Sequence, residues 1–162
     1  MSIENKLLAC FRLVGLDPKM DSFNDRKKMQ KIVNLMQEAG VQFPFNFTWY
    51  FRGPYSSSLA DSLFAIVRNN ITDEERLSEE EVTKIKNVKN FLGDKINSAD
   101  YLELLVSLLF LKKRAVRVDA SEEDVIEFIR KNKPYFSEQE IRSCLTMVKR
   151  FEEQFLTFSN SL

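Results

Sequence analysis

The residues best suited to chemistry lie between positions 24 and 59, where cationic, amide and aromatic side chains are concentrated. Lysine and arginine can bind phosphates or carboxylates, and tyrosine beside arginine can stack on nucleic-acid bases or seat a peptide. We therefore predict a binding surface made of these eight residues: Arg26, Lys27, Gln30, Lys31, Tyr50, Arg52, Tyr55 and Ser56.

The cationic part of this surface lies on a predicted helix that is capped by Asn24 and ends at Gly40. Its apolar residues repeat at helical spacing and form one stripe: Met29, Ile32, Val33 and Met36. Lys27 and Lys31 share the opposite face, which could contact phosphates or an acidic partner, or could simply be solvated. In either case we expect the double substitution Lys27→Glu/Lys31→Glu to leave the melting temperature nearly unchanged.

An aromatic strand follows this helix. Phe47, Trp49 and Phe51 alternate with polar side chains at the period of a strand, which predicts that they face the core. Tyr50 and Arg52 would then face outward. Gly53-Pro54 ends the strand, and a serine starts the next helix. That helix start could bind an anion, although no glycine-rich phosphate loop supports this, and we expect Tyr55 to pin the turn.

Capping serines and apolar stripes predict a mostly α fold of about seven helices, with a short β element near residues 47–52. We expect one compact domain over residues 1–158, winged-helix-like if a hairpin follows the fifth helix, and a frayed tail over 159–162. That fifth helix opens at Ser98 and is apolar nearly all round, so it should be central, and Leu105→Asp should prevent soluble folding. The basic run 112–117 after it is either a phosphate-contacting wing or a cationic helix end.

Composition excludes several classes of enzyme. The chain has no histidine, so Ser-His-Asp and Cys-His catalysis and the HExxH zinc helix are absent. Cys10 and Cys144 do not form a CxxC pair, and we expect two buried free thiols. We predict no catalytic residue, cofactor or metal site. Lysine plus arginine equal aspartate plus glutamate at 24 each, which gives no overall field for tight non-specific nucleic-acid binding.

The beginning of the chain has no basic segment followed by an apolar run, so no signal peptide is predicted. The longest mainly apolar stretch, residues 104–111, is too short to span a bilayer. We therefore expect a cytoplasmic protein that does not bind membranes. The sequence does not indicate an oligomeric state.

Four segments resemble the YwgA-like uncharacterised proteins of archaea and bacteria: RKKMQKIVNLMQEAG, FNFTWYFRGPYSSSLADSL, YLELLVSLLFL and KNKPYFSEQEIRSCLTMVK. This resemblance spans residues 24 to 150. A more distant similarity, over residues 24–65, is to the Panacea domain of SocA-type antitoxins, which has a KxQK helix, an aromatic strand and a Gly-Pro turn.

The pattern of the YwgA-like family carries onto residues of both parts of the surface: Arg26, Lys27, Gln30, Lys31, Tyr50, Gly53, Pro54, Tyr55 and Ser56. The chain departs from it at Arg52, where the family has an aromatic residue, and at Asn34. The resemblance implies no established enzyme activity, and the antitoxin-like relatives imply binding to another macromolecule.

These observations predict a non-enzymatic binding or regulatory module that contacts a protein or a nucleic acid through the basic helix and the aromatic Gly-Pro turn. The alternative is a metal-dependent enzyme that processes nucleic acids with carboxylates and lysine. Glu81 and Lys84 are the only pair that suggests it.

Overall fold

A computed structural model describes residues 2–156, which form seven α-helices and one small β-hairpin. The elements in chain order are α1 (Ile3–Leu13), α2 (Phe23–Glu38), β1 (Thr48–Tyr50), β2 (Gly53–Tyr55), α3 (Ser57–Arg68), α4 (Glu79–Leu92), α5 (Ala99–Arg117), α6 (Glu122–Asn132) and α7 (Glu138–Phe151). A short 3-10 helix, Gly93–Asn97, joins α4 to α5, and a π-helical turn, Glu152–Leu156, follows α7. The predicted mostly α fold with a short β element is confirmed.

Serine side chains cap the N-terminus of all seven helices by accepting a hydrogen bond from a backbone N–H in the first turn. Helix α2 begins two residues earlier than predicted. Ser22, not Asn24, is its cap, because Ser22 and Asp25 satisfy each other's backbone N–H groups in a capping box.

Helix α5 is the central element, as its apolar composition predicted. It packs against α2, α6, α7 and the hairpin, and every residue from Leu102 to Leu109 is buried. Leu105 itself is 0% exposed. Helix α5 also continues through Arg117, so residues 112–117 do not form the hairpin that a wing would require.

The β element is an antiparallel hairpin rather than a single strand, with Thr48 opposite Tyr55 and Tyr50 opposite Gly53. Trp49 is half-buried and its ring packs against Phe110 and Phe128. The prediction that Phe51 faces the core is wrong, because the strand ends at Tyr50. Phe51 lies in the turn, where strand alternation no longer applies, and it is 83% exposed.

Cys10 and Cys144 are buried free thiols, as predicted. Burial raises the pKa of each thiol to about 12, which makes both poor nucleophiles at neutral pH. The tail that the sequence predicts to fray, residues 159–162, lies outside the described residues.

Candidate functional site

The polar face of α2 is buried, which contradicts the prediction that Lys27 and Lys31 face water. Lys27 is 6% exposed and Lys31 is 2% exposed, and Gln30 between them is buried as well. Periodicity reports only which face of a helix is polar, and here α5 and the hairpin cover that face. The expectation for Lys27→Glu/Lys31→Glu is therefore reversed: both new carboxylates would be buried near Glu103, and the fold should be strongly destabilised.

Glu103, on α5, is the centre of this buried polar region. Its Oε1 accepts a hydrogen bond from Lys27 Nζ at 2.9 Å, and its Oε2 accepts one from Lys133 Nζ at 2.8 Å. The hydroxyl of Tyr135 donates to the same Oε2. Lys27 Nζ also lies 2.6 Å from Oδ1 of Asp100, a mostly exposed carboxylate. Both oxygens of Glu103 are thus occupied by partners from α2 and from the segment after α6.

These contacts set the ionisation of the cluster. Burial opposes ionisation of Glu103, but the hydrogen bonds from Lys133, Tyr135 and Lys27 outweigh it and hold the pKa of Glu103 below its ordinary value. Burial, together with the hydrogen bond to Glu103, raises the pKa of Tyr135 to about 12. Glu103 is therefore an ionised acceptor at neutral pH, and Tyr135 is a neutral donor.

Lys31 differs from its two lysine neighbours. Its Nζ donates to the carbonyl oxygen of Pro54 at 2.6 Å, and within residues 2–156 it forms no ion pair. Burial lowers the pKa of Lys31 to about 7, with Lys133 and Lys27 adding to that effect and Glu103 partly opposing it. A buried amine without a carboxylate partner therefore lies beside two paired ammonium groups.

The side chain of Gln30 attaches α2 to the end of the hairpin. It hydrogen-bonds to both backbone groups of one residue, as a neighbouring strand would. The amide of Gln30 donates to the carbonyl oxygen of Ser56 at 2.8 Å and accepts from the N–H of Ser56 at 3.1 Å. Ser56 Oγ then caps α3 by accepting from the N–H of Leu59. Gln30 and Ser56 thus hold the turn in place, which is a positioning role.

Gly53 is required where the hairpin approaches α5. Its φ of +90° belongs to the region that side chains strain to adopt, and a Cβ there would collide with Ser107 Oγ. That hydroxyl is buried and has no hydrogen-bond partner among the described residues. The close approach of Gly53 places the turn directly over Lys31 and Ser107.

A cleft of about 770 Å³ opens above these groups, between the start of α2, the hairpin, α3 and the segment after α6. Seven of the eight predicted surface residues line it: Arg26, Lys27, Gln30, Lys31, Tyr50, Arg52 and Tyr55. Ser56 does not line it and is buried behind the turn. Residues that the sequence analysis grouped on one surface thus lie around one cleft, but Lys27 and Lys31 form its base rather than an exposed surface.

The rim of the cleft is aromatic and open to water. The exposed rings are those of Phe23, Tyr50, Phe51, Phe64 and Tyr135. Arg52 lies between two of them, with its guanidinium carbon 5.4 Å from the Phe23 ring centre and 5.2 Å from that of Tyr135. Tyr50 stacks on Tyr55 at 5.5 Å. The rim can therefore accept a flat or apolar group and hold it near cations.

Several site residues escaped the sequence analysis, chiefly Glu103, Ser107, Lys133 and Tyr135. A signal for the first two was present, because Glu103 and Ser107 are the two polar residues in the buried stretch from Leu102 to Leu109. Polar side chains on the buried part of a helix need hydrogen-bond or ion-pair partners. No local pattern distinguishes Lys133 and Tyr135 from ordinary loop residues.

Glu81 and Lys84, the pair that suggested an enzyme, each form an ion pair with a different residue. Glu81 pairs with Lys6 at 2.7 Å, whereas Lys84 pairs with Glu80 at 2.9 Å and donates to the carbonyl oxygen of Gly40. Within residues 2–156, no group of three histidine, cysteine, aspartate or glutamate side chains could hold a metal ion. None of the helices described is long and apolar enough to cross a bilayer.

No family model, curated protein or solved structure matches this chain. The resemblance to the YwgA-like proteins therefore stays an expectation, and the geometry of the cleft is the basis for a proposed function.

Proposed function

We propose that this chain is a non-enzymatic binding module and that its partner is an acidic segment of another protein, which docks in the cleft. The observation that carries the proposal is the combination of an exposed aromatic rim with a base of buried lysines. Each part of this arrangement indicates one property of the partner.

The rim indicates an apolar or aromatic side chain on the partner. Five large rings around one opening keep apolar surface in water, and burying such rings is a main source of binding energy at protein interfaces. Phe51 alone is 83% exposed at the tip of the hairpin turn. A volume of about 770 Å³ suits a few partner side chains rather than a whole helix.

The base indicates negative charge on the partner. Lys27 and Lys31 line the base, and Arg52 adds a further cation at the rim. Behind the base, Glu103 is the one fully buried carboxylate among the described residues, and it is shared between Lys27 and Lys133. Asp100 offsets part of this excess from the exposed side of Lys27. Complementary charge favours an acidic segment over a basic one.

A protein is favoured over a nucleic acid because the lysines do not form an exposed track. Binding to a nucleic-acid backbone depends on a series of accessible cations, whereas Lys27 and Lys133 are buried and already paired with Glu103. The second candidate is nonetheless single-stranded nucleic acid, since the exposed Tyr50, Phe51 and Arg52 could stack on bases.

The test is selection of binders from a random peptide library displayed on phage, using the full chain as bait. We expect enriched peptides that carry a glutamate or aspartate near an aromatic or large aliphatic residue. The variant Tyr50→Ala/Phe51→Ala should bind the enriched peptides at least about tenfold more weakly, as expected when anchoring rings are removed. Val116→Ala/Val118→Ala removes exposed apolar groups outside the cleft and should not change the affinity.

Three results would contradict the proposal. They are the absence of any enriched peptide, enrichment without acidic residues, and equal binding by the rim variant. Fluorescence anisotropy with duplex DNA and single-stranded RNA across a salt series tests the second candidate. Salt-sensitive binding that is lost in the rim variant would replace the protein partner by a nucleic acid.

A further inference from the structure

We infer that the base of the cleft is a subsite for one carboxylate of the docking segment, that of a glutamate side chain, with Lys31 as its counter-ion. This inference rests on the proposed function and adds the group that the segment must present. It begins from the difference between Lys31 and the two lysines beside it.

Lys31 cannot obtain a carboxylate from within the described structure. Oε1 of Glu103 accepts from Lys27, and Oε2 accepts from Lys133 and Tyr135. Asp100 is engaged by Lys27 at 2.6 Å. The remaining contact of Lys31 Nζ is the neutral carbonyl oxygen of Pro54. A buried ammonium group without a counter-charge is unfavourable, so an incoming anion is stabilised there more than at an exposed lysine.

Among the groups around Lys31, hydrogen-bond donors outnumber acceptors. Helix α2 contributes Lys27, α5 contributes Glu103 and Ser107, the segment after α6 contributes Lys133, and the hairpin contributes the carbonyl of Pro54. The hydroxyl of Ser107 is buried without a partner, and it lies beside Gly53, as does Lys31 Nζ. Cations predominate in this set, and the unpaired hydroxyl is a second donor.

The depth of Lys31 below the rim favours a glutamate side chain as the source of the carboxylate. Lys31 is 2% exposed at the base, whereas the rings of the rim are exposed above it. A partner whose backbone lies on the rim can extend a long side chain to the base. The carboxylate at a chain end would instead require the partner's backbone to enter the cleft.

This arrangement couples binding to proton uptake. In the free protein, burial lowers the pKa of Lys31 to about 7, and a carboxylate beside the amine would favour the ammonium form and raise that pKa. Binding should therefore take up a proton when the pH is above 7, and take up almost none well below it. The affinity should fall as the pH rises above 7, by at most about tenfold per pH unit.

The experiment uses 3-phenylpropionate, which joins one carboxylate to one ring and stays ionised throughout the range of the titration. The full chain is labelled with ¹³C at the ε-carbon of lysine, and the Lys31 signal is identified from its loss in Lys31→Met. We expect that signal to titrate near pH 7 in the free protein, and at a higher pH with the ligand. A ligand of this size should bind with a dissociation constant of about 1 mM.

Matched controls separate the subsite from the aromatic rim. The neutral 3-phenylpropionamide should bind at least about tenfold more weakly than the acid and should leave the titration of Lys31 unchanged. Lys31→Met should bind acid and amide equally, whereas Lys28→Met, on the same helix but outside the cleft, should behave as wild type. The titration of Lys31 is read on the wild-type chain, so it does not depend on the stability of any variant.

Failure of this inference is distinguishable from failure of the proposed function. Equal binding of acid and amide, an unchanged Lys31 titration, or no binding up to about 10 mM would overturn the subsite, while peptide selection judges the proposed function independently. In a selected peptide, Glu→Gln should weaken binding about tenfold. If amidation of the peptide's C-terminus has that effect instead, the chain end occupies the subsite and the assignment to glutamate is wrong.

Discussion

Helix α5 packs against its neighbours in two different ways. Toward α7 it meets an apolar face whose buried residues include Leu145, Val148 and Phe151, and we term this contact the apolar seam. Toward the polar face of α2 it presents Glu103, which meets Lys27, and we term this contact the charged seam. One helix therefore supports both a conventional core and a buried ionic cluster.

The apolar seam and the charged seam differ in how much they contribute to the stability of the fold. Burial of leucine, valine and phenylalanine in the apolar seam stabilises the fold directly. The charged seam removes ions from water, and such clusters are often no more stabilising than apolar residues of the same size. Its position beneath the open cleft is the basis for the partner recognition that we propose.

The largest expected effect is on the apolar side of α5. Leu105→Asp should prevent soluble folding, because it buries an unpaired carboxylate at a position that is 0% exposed. Leu105→Met keeps volume and polarity and should fold with a loss below about 1.5 kcal/mol. Expression and circular dichroism would measure this. A soluble, fully helical Leu105→Asp variant would show that α5 is not the central helix.

The next effect is on the charged seam. Glu103→Gln should lower the free energy of unfolding by about 3–5 kcal/mol, because Lys27 and Lys133 would remain buried without their shared counter-charge. Chemical denaturation would measure the change. Glu123→Gln breaks a solvent-exposed pair with Arg142 and should leave the denaturation midpoint nearly unchanged. Similar curves for the two variants would mean that water already screens Glu103.

A smaller effect distinguishes Lys31 from its paired neighbours through pH. The pKa of Lys31 is about 7 in the fold and ordinarily 10.5, so between those values the unfolded chain binds more protons. Stability of the wild type relative to Lys31→Met should therefore rise with pH above 7, by at most about 1.4 kcal/mol per pH unit. Denaturation of both proteins from pH 6 to 9 would measure this. A constant difference across that range would contradict the depressed pKa.

The smallest expected effect concerns the rim. Phe51→Ala should change the free energy of unfolding by less than about 0.5 kcal/mol, since the ring is 83% exposed and contacts little of the core. Thermal denaturation would measure it beside a binding assay with a selected peptide. A loss of stability as large as that of Glu103→Gln would show that the ring supports the fold and is not free for a partner.

The two seams also differ in how well the sequence predicted them. Apolar stripes and capping serines predicted the helices and the central position of α5, because those signals are local. The stripe on α2 gave the correct inward residues, yet it could not reveal that Lys27 and Lys31 are covered. Lys27 is buried against Glu103, which is 76 residues away along the chain, and Lys31 is buried against the hairpin, where the carbonyl of Pro54 is its hydrogen-bond partner. The turn differs from its prediction for a related reason, since strand alternation ends at Tyr50 and does not include Phe51.

The measurement that most directly tests the account combines stability and binding in one variant, Lys27→Met/Lys31→Met/Glu103→Leu/Lys133→Met. It replaces the ionic cluster by apolar side chains, while the half-exposed Tyr135 can turn its hydroxyl to water. If the charged seam exists for recognition, the variant should be at least as stable as the wild type and should bind the selected acidic peptides at least about tenfold more weakly. Undiminished peptide binding by a stable variant would contradict the account.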